Sequence, residues 1–131
     1  MGEKKKMKKV LLDTNFLIDL GRFGISIDEI DRVLNERYEL FVTSSVMNEL
    51  KTIAGMQQEE GKFAKLALMI LDLRKAKIIQ TEKIADEAIM EIVGSEKDTI
   101  VATDDIELKK RVKAIGGRVV SIRAKKKLEI G

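Results

Sequence analysis

Short apolar runs alternate with longer amphipathic stretches along the chain. Runs of three to five aliphatic or β-branched residues are typical of buried strands, whereas apolar residues spaced three and four apart are typical of helices. The pattern predicts strands at 8–12, 39–43, 77–79, 99–103 and 118–123, and helices at 26–37, 44–55, 59–76, 82–94 and 105–117. The remaining C-terminal residues, 124–131, are expected to form a short basic tail.

Residues at the ends of the predicted helices support these boundaries. Ser26 is suited to cap the first helix, because Glu29 follows three residues later in capping-box register. Gly55 and Gly94 are suited to end two of the others. Strands that alternate with helices predict an α/β fold, with three α/β/α layers around a mainly parallel central sheet of four or five strands. Without an internal repeat, a low-complexity linker or a proline, residues 1–131 are expected to form a single domain.

Composition restricts the available chemistry. Hydrophobic residues make up 44% of the chain and charged residues 36%, as in globular proteins. There is no cysteine and no histidine, which excludes disulfides, zinc–thiolate sites, imidazole bases and Ser-His triads. An enzyme with this sequence must therefore use carboxylates, hydroxyls, amines or a metal ion. Abundant Lys and Glu with few Asn and Gln are typical of a thermophile.

Neither a membrane span nor a secretory signal is expected. No apolar run approaches the ~20 residues that cross a bilayer. The basic start MGEKKKMKKV is followed by an apolar run that Asp13 interrupts early. We therefore expect a cytoplasmic protein.

Charge is distributed unevenly along the chain. Residues 105–131 carry nine Lys or Arg and three acidic residues, whereas residues 1–104 carry sixteen basic and nineteen acidic residues. A basic end beside an acidic body is compatible with binding a polyanion, and equally with ordinary solvated faces.

Acidic residues recur where the predicted strands end or where the following helices begin. Because the carboxyl ends of parallel strands meet at one edge of a sheet, these side chains are expected to lie close together. Clustered carboxylates repel one another unless a cation lies among them, and an all-oxygen ligand set suits Mg²⁺ or Mn²⁺. The acidic residues are Asp13, Glu49, Asp86, Glu87, Asp104 and Asp105.

Simpler structural roles explain each of these acids singly. Asp104 or Asp105 is suited to cap the following helix, and the acids that begin the helix 82–94 suit a helix N-terminus. A metal site explains more, because it gives a reason for Asp13 to end an apolar strand abruptly. Asn15 is then expected to hold a neighbouring carboxylate or a water by hydrogen bonding.

Four motifs in order make the chain resemble the PIN-domain nucleases over nearly its whole length. The matching segments are VLLDTNFLID, FVTSSVMNEL, ADEAIMEIV and IVATDDIELKKRVKAIGGRVVSIR. The acidic positions of the family fall on Asp13, Glu49, Asp86 and Asp105, with Asn15, Thr103 and Asp104 at accessory positions. Asp98 is interpreted as a loop residue. The C-terminal part is most similar to the branch involved in ribosomal RNA processing and to its archaeal single-domain relatives.

The resemblance implies a metal-dependent endoribonuclease formed by a single PIN-like domain. Members hydrolyse RNA phosphodiester bonds with Mg²⁺ or Mn²⁺, so the four acids would hold one or two ions, directly or through water. With 4% aromatic residues, base stacking is expected to contribute little to RNA binding. Phosphate contacts are expected from one helix, although a solvated face explains its charges equally well; the residues are Lys109, Lys110, Arg111 and Lys113.

Three other functions fit parts of the pattern. One is the ribonuclease toxin of a toxin–antitoxin pair, which shares the same motifs. A second is a non-catalytic scaffold that binds RNA or protein. A third is an unrelated doubly wound protein, such as a phosphate-accepting receiver domain, which does not need the acids after the second strand. Besides RNA, the expected partners are a ribosome-assembly factor, an antitoxin or a second copy of the chain. The apolar side of the helix 59–76 serves either the core or a homodimer seam through Phe63, Leu66, Ala67, Ile70 and Leu71.

Overall fold

Six strands and six helices make up residues 7–131, the part of the chain that the computed structural model describes. The strands are β1 (Lys8–Leu12), β2 (Tyr38–Thr43), β3 (Lys77–Ile79), β4 (Thr99–Ala102), β5 (Arg118–Arg123) and β6 (Lys127–Ile130). The helices are α1 (Thr14–Phe23), α2 (Glu29–Leu34), α3 (Ser44–Ala54), α4 (Glu59–Leu73), α5 (Ala85–Ser95) and α6 (Ile106–Ala114). The first six residues of the basic N-terminal stretch lie outside the described part.

The strands form one sheet in the order β3-β2-β1-β4-β5-β6. The first five strands are parallel, and β6 is antiparallel to β5. From β1 the chain builds outward through β2 to β3 and then crosses to β4 on the other side of β1. The direction in which successive strands are added to the sheet therefore reverses between β1 and β4, where Leu12 lies opposite Ala102. In open α/β sheets, a reversal of this kind opens a crevice at the carboxyl ends of the strands.

Helices cover both faces of the sheet, so the predicted three-layer α/β/α arrangement with a mainly parallel sheet is confirmed. On one face, residues of α1, α2, α3 and α4 pack with Val10, Leu12 and Ile100 into the larger core. On the other face, residues of α5 and α6 pack with Leu11 and Val101. The sheet has six strands, rather than the predicted four or five, because β6 adds an antiparallel strand at one edge.

The apolar side of α4 lies mainly in the core. Ala67 and Leu71 are buried, and Phe63 and Ile70 pack against the larger core from partly buried positions. Leu66 remains 41% exposed. Within residues 7–131, no helix combines the length and the apolar character that a membrane crossing requires.

Helix α1 has no counterpart in the sequence prediction, which left its residues unassigned. Asp13 has extended backbone dihedrals and caps the helix by accepting a hydrogen bond from the Thr14 amide. Phe16, Leu17 and Leu20 are buried on one side of the helix. Gly24, with φ of 65°, ends it in the left-handed conformation that glycine adopts without a steric penalty.

The predicted helix 26–37 was too long. The Ser26 hydroxyl accepts a hydrogen bond from the Asp28 amide, and this local turn delays the helix until Glu29. Asn35 ends the helix in the left-handed region, with φ of 51°. The predicted capping box from Ser26 to Glu29 is therefore wrong at this position.

Other boundaries moved by a few residues. Helix α4 ends at Leu73, α5 begins at Ala85 and α6 ends at Ala114. The predicted tail at 124–131 was also wrong in part, because it contains β6. Leu128 of this strand is buried in the larger core, and the strand pairs with β5 along its length.

Candidate active site

Asp13 occupies the point where β1 ends at the centre of the sheet. Its amide donates a hydrogen bond of 3.0 Å to the carbonyl oxygen of Ala102, the last residue of β4. The residue is 5% exposed. Strand pairing and helix capping therefore fix both the backbone and the side chain of Asp13 at the crevice between β1 and β4.

Thr103 connects the first acidic residue to the last. Its hydroxyl donates a hydrogen bond of 2.6 Å to Oδ2 of Asp13 and accepts one of 3.1 Å from the Asp105 amide. Thr103 is fully buried. The loop after β4 is thus held against the end of β1 by one hydroxyl group.

Glu49 reaches the same crevice from α3. Its Oε1 accepts a hydrogen bond of 3.0 Å from the hydroxyl of Thr14, the residue that follows Asp13. The side chain that holds a neighbouring carboxylate here is therefore Thr14, whereas Asn15 lies exposed at the rim of an adjacent pocket. The role of Thr14 was not predicted, because the sequence pattern assigned residue 14 to no helix.

Asp86 approaches from the first turn of α5, whose position depends on two serines of α3. The Ser44 hydroxyl both donates to the Thr81 carbonyl oxygen (3.1 Å) and accepts from the Thr81 amide (3.0 Å). The Ser45 hydroxyl donates to the Lys83 carbonyl oxygen at 2.5 Å. These bonds fasten the loop before α5 to the beginning of α3, which also carries Glu49.

Two nearby carboxylates influence the ionisation of Asp13. Burial raises the pKa of Asp13 above its ordinary value of 3.8, and hydrogen bonds from Thr103 and Thr14 oppose this effect. The carboxylates of Asp86 and Glu49 raise this pKa further by repulsion. A cation near these groups would relieve the repulsion and favour the ionised form of Asp13.

Asp105 and Asp104 follow β4 and face different partners. Asp105 caps α6, since its Oδ1 accepts a hydrogen bond of 3.0 Å from the Leu108 amide. Asp104 accepts one of 2.8 Å at Oδ1 from the Ile122 amide, while its Oδ2 is buried without a hydrogen-bond partner in the described chain. Burial and the adjacent carboxyl of Asp19 raise the pKa of Asp104 to about 6.

Asp19 and Arg22 belong to the same region and were not predicted. Both lie on α1, three residues apart, and Arg22 donates a hydrogen bond of 2.9 Å to Asp19. With Asn15, Asp104 and Asp105 they line a pocket of about 260 Å³. If residues 14–23 had been predicted to form a helix, the side chains of Asp19 and Arg22 would have fallen on the same helix face, near the predicted acidic site.

The basic residues predicted to bind phosphate lie on α6 but not on one side of it. Lys109 lies near enough to Asp104 to lower the pKa of that carboxyl, against the larger effect of burial. Lys110 pairs with Glu107 at 3.9 Å. In a helix, Lys113 shares the face of Lys109, whereas Arg111 points about 200° away from Lys109. Asp98 lies before β4 at the opposite edge of the sheet, where it pairs with Lys8 at 3.7 Å.

The donor set fits a hard divalent cation that keeps part of its water shell. Within residues 7–131, no three acidic side chains converge closely enough to bind one ion directly. The four predicted acids therefore do not form a closed cage. Mg²⁺ is ordinarily bound through one or two carboxylates and retains several waters. Asp13 with Glu49 or Asp86 would supply that number of oxygen ligands.

Comparison with known proteins identifies the family. A family model described as a PIN-like domain matches residues 10–125. The chain is 36% identical over 128 residues to Ribonuclease VapC4 of Methanocaldococcus jannaschii, which covers 95% of this chain and 97% of that protein.

Solved structures show the same fold. The PIN domain endonuclease Utp24 superimposes with a TM-score of 0.79 at 24% identity, over 93% of this chain and 90% of that one. A domain of a functionally unknown protein from Methanocaldococcus jannaschii superimposes with a TM-score of 0.64 at 24% identity, over 89% and 92% of the two chains. Together with the matched model and the curated relative, these likenesses show that the chain belongs to the PIN-like domain family.

Proposed function

We propose that this protein is an endoribonuclease that hydrolyses RNA phosphodiester bonds with Mg²⁺ or Mn²⁺ bound at the crevice between β1 and β4. The observation that carries the proposal is the buried carboxylate of Asp13, on which the carboxylates of Asp86 and Glu49 both act. Identity of 36% to a protein named as a ribonuclease, over almost the whole of both chains, supports the same activity.

The four acidic residues would bind the ion from different sides of the crevice. Asp13, Glu49 and Asp86 would hold the ion directly or through water. Asp105 would bind from the β4 side, where its position is fixed by the Thr103 hydroxyl. An ion held by these residues would lower the pKa of a water molecule and so make a hydroxide nucleophile available at neutral pH.

Protein side chains other than carboxylates have positioning roles in this proposal. Thr103 and Thr14 orient Asp13 and Glu49 by hydrogen bonds, and Ser44 fixes the loop that leads to Asp86. With no histidine in the chain, no imidazole is available as a general base. The acids must therefore be ionised for the site to work, so activity is expected to rise with pH.

The test combines metal binding with RNA cleavage in three proteins. Calorimetry with Mn²⁺ and cleavage of a labelled single-stranded RNA are measured for the wild type, for Asp13→Asn and for Asp98→Asn. Asp98 is the matched control, because its carboxylate lies at the opposite edge of the sheet. We expect Asp13→Asn to lose cleavage and most Mn²⁺ binding, and Asp98→Asn to retain both.

Other outcomes separate the parts of the proposal. Mn²⁺ binding without cleavage by the wild type would exclude activity on unstructured RNA. Absence of Mn²⁺ binding by the wild type would overturn the metal-dependent mechanism and favour the scaffold function. Equal losses in Asp13→Asn and Asp98→Asn would show a general effect on folding.

RNA maturation is the narrower role that we propose, and toxin action is the alternative that similarity to Ribonuclease VapC4 brings forward. The two differ in their partners, since a toxin needs an antitoxin to keep it inactive in the cell. Expression of the wild type and of Asp13→Asn separates them. Growth arrest with the wild type alone, relieved when the adjacent gene is co-expressed, would support the toxin; unaffected growth would support maturation.

A further inference from the structure

Two pockets flank the carboxylates of the candidate active site. One, which we call the β4-side pocket, lies between α1 and the loop after β4, has a volume of about 260 Å³ and includes Asp105. The other, the β2-side pocket, lies between α3 and the beginning of α5, has a volume of about 450 Å³ and includes Glu49 and Asp86. Since β1 lies between β2 and β4, Asp13 stands between the two pockets.

Each pocket has one cationic side chain among the residues that line it in the described chain. In the β4-side pocket this is Arg22, and in the β2-side pocket it is Lys83. The other charged residues that line the two pockets are all acidic. A polyanion that enters either pocket therefore meets repulsion everywhere except beside these two side chains.

Neighbouring groups hold both cations in place. Arg22 donates hydrogen bonds to Asp19 (2.9 Å) and to Glu60 (3.1 Å). Lys83 pairs with Glu91, and its backbone is fastened by the Ser45 hydroxyl. Their side chains remain 36% and 51% exposed, so a ligand in the pocket can reach them.

Exchange of these ion pairs for contacts with a phosphate costs little free energy. Pairs at this exposure contribute little to stability, because solvent already screens the charges. A guanidinium has five N–H donors and binds phosphate in a bidentate manner, so Arg22 retains donors beyond those used by Asp19 and Glu60. The residues that line the two pockets in the described chain include no aromatic side chain. Contacts with the backbone of a nucleic acid are therefore favoured over stacking with its bases.

We propose that a single RNA strand crosses the site with the scissile phosphate over Asp13, one flanking phosphate against Arg22 and another against Lys83. The proposal rests on the ribonuclease function proposed above. It places the two principal phosphate contacts on α1 and on the loop before α5, whereas the sequence pattern placed them on α6.

The experiment measures how substitution of each cation changes RNA affinity and its dependence on salt. Arg22→Gln and Lys83→Gln are compared with Arg32→Gln and Lys77→Gln, which remove exposed, ion-paired cations of α2 and β3 outside both pockets. KM and kcat are measured with a labelled single-stranded RNA and Mn²⁺. Fluorescence anisotropy with the same RNA, without divalent ions, gives the dissociation constant between 50 and 200 mM salt.

Each pocket variant should raise KM by about three- to tenfold and leave kcat within about twofold. It should also reduce the slope of log affinity against log salt by about 0.7, the value for one lost phosphate contact on a single strand. Arg22→Lys should restore most of the slope, because it keeps the charge. The two controls should behave as the wild type.

Several results would overturn the proposal. Salt slopes that do not change in either pocket variant would remove both subsites, even if the wild type cleaves RNA normally. Equal losses in the control variants would indicate diffuse attraction in place of defined subsites. Tighter binding of a duplex than of the single strand, with the same dependence on Arg22 and Lys83, would exclude the single-strand path. A wild type that neither binds nor cleaves RNA would overturn the ribonuclease function itself.

Discussion

The Thr103 hydroxyl donates a hydrogen bond of 2.6 Å to Oδ2 of Asp13, a residue 90 positions earlier in the chain. Both residues are buried, and each directly follows one of the two strands that flank the reversal in the sheet. The bond favours the ionised form of Asp13 against the effects of burial and of two nearby carboxylates. A neutral hydroxyl thus contributes to keeping the central acid in the state that binds a cation.

Thr103→Val should impair catalysis without a large change in shape. Removing the hydroxyl raises the pKa of Asp13 further and releases the Asp105 amide, so we expect kcat/KM to fall by about ten- to a hundredfold at neutral pH. The rising limb of the pH–activity profile should move to higher pH. Thr103→Ser retains the hydroxyl and should keep most of the activity. An unchanged pH profile in Thr103→Val would contradict this role.

Asp104 should make the protein less stable as pH rises. Its pKa is raised from 3.8 to about 6 in the folded state, so the folded chain holds a proton that the unfolded chain releases between these values. This contribution to stability is complete below pH 3.8 and is lost as pH rises through about 6. Asp104→Asn should therefore exceed the wild type in free energy of unfolding above pH 7, by on the order of 1 kcal/mol after solvent screening.

Urea unfolding in the absence of divalent ions, at several pH values between 4 and 8, measures this difference. The asparagine oxygen can still accept the hydrogen bond from the Ile122 amide, so the substitution changes charge more than geometry. The advantage of Asp104→Asn should shrink towards pH 4. A difference that does not depend on pH would assign the effect to packing instead.

Gly61→Ala should destabilise the fold where the first turn of α4 packs against the end of α3 and the turn that follows it. A Cβ at position 61 would overlap the Met56 carbonyl oxygen and lie 3.0 Å from that of Ile53, and both are backbone atoms with little freedom to move. We expect a loss of roughly 1–3 kcal/mol in the free energy of unfolding. Gly94→Ala is the matched control, since a Cβ there meets nothing within 4 Å. Because alanine favours helices, thermal unfolding should show Gly94→Ala to be at least as stable as the wild type.

Ser44→Ala should loosen the loop that positions Asp86. The substitution removes two hydrogen bonds to Thr81, and we expect about 1 kcal/mol of local destabilisation. Amide hydrogen exchange should become faster at residues 80–84, and RNA cleavage should fall several-fold. Ser95→Ala removes an exposed hydroxyl that bonds only within α5 and serves as the control. Unchanged exchange at residues 80–84 would show that other contacts hold the loop.

Strands were predicted better than the elements whose ends depend on distant residues. β1 to β5 are short, mostly apolar runs, so their local pattern is informative. β6 buries only Leu128 within the sequence KLEI, and it forms because β5 offers an edge for pairing. Helix α1 was missed because its cap, Asp13, was already assigned to the candidate site. Asp13 both caps α1 and belongs to the candidate site. An interpretation that gives each residue a single role therefore does not recognise Asp13 as a helix cap.

The acidic positions could be predicted from their places at strand ends, but their partners could not. Contacts of Thr14 with Glu49 and of Asp104 with Asp19 join segments that are far apart in sequence or that were left unassigned. Arg22 was not predicted as a site residue, because it lies on α1, which the sequence pattern left unassigned. Contacts between segments depend on the crossover of the chain from β3 to β4, which periodicity alone does not specify.

Asp13 and Asp105 each cap a helix in addition to facing the crevice. Loss of such a cap costs about 1 kcal/mol, so selection for a stable fold alone would preserve both residues in a family member without nuclease activity. Glu49 is exposed and caps no helix, and the Thr14 hydroxyl could be solvated without it, so the fold depends less on this residue. Among proteins that share this architecture, an acidic residue at the Glu49 position is therefore better evidence of nuclease activity than acidic residues at the two helix-capping positions.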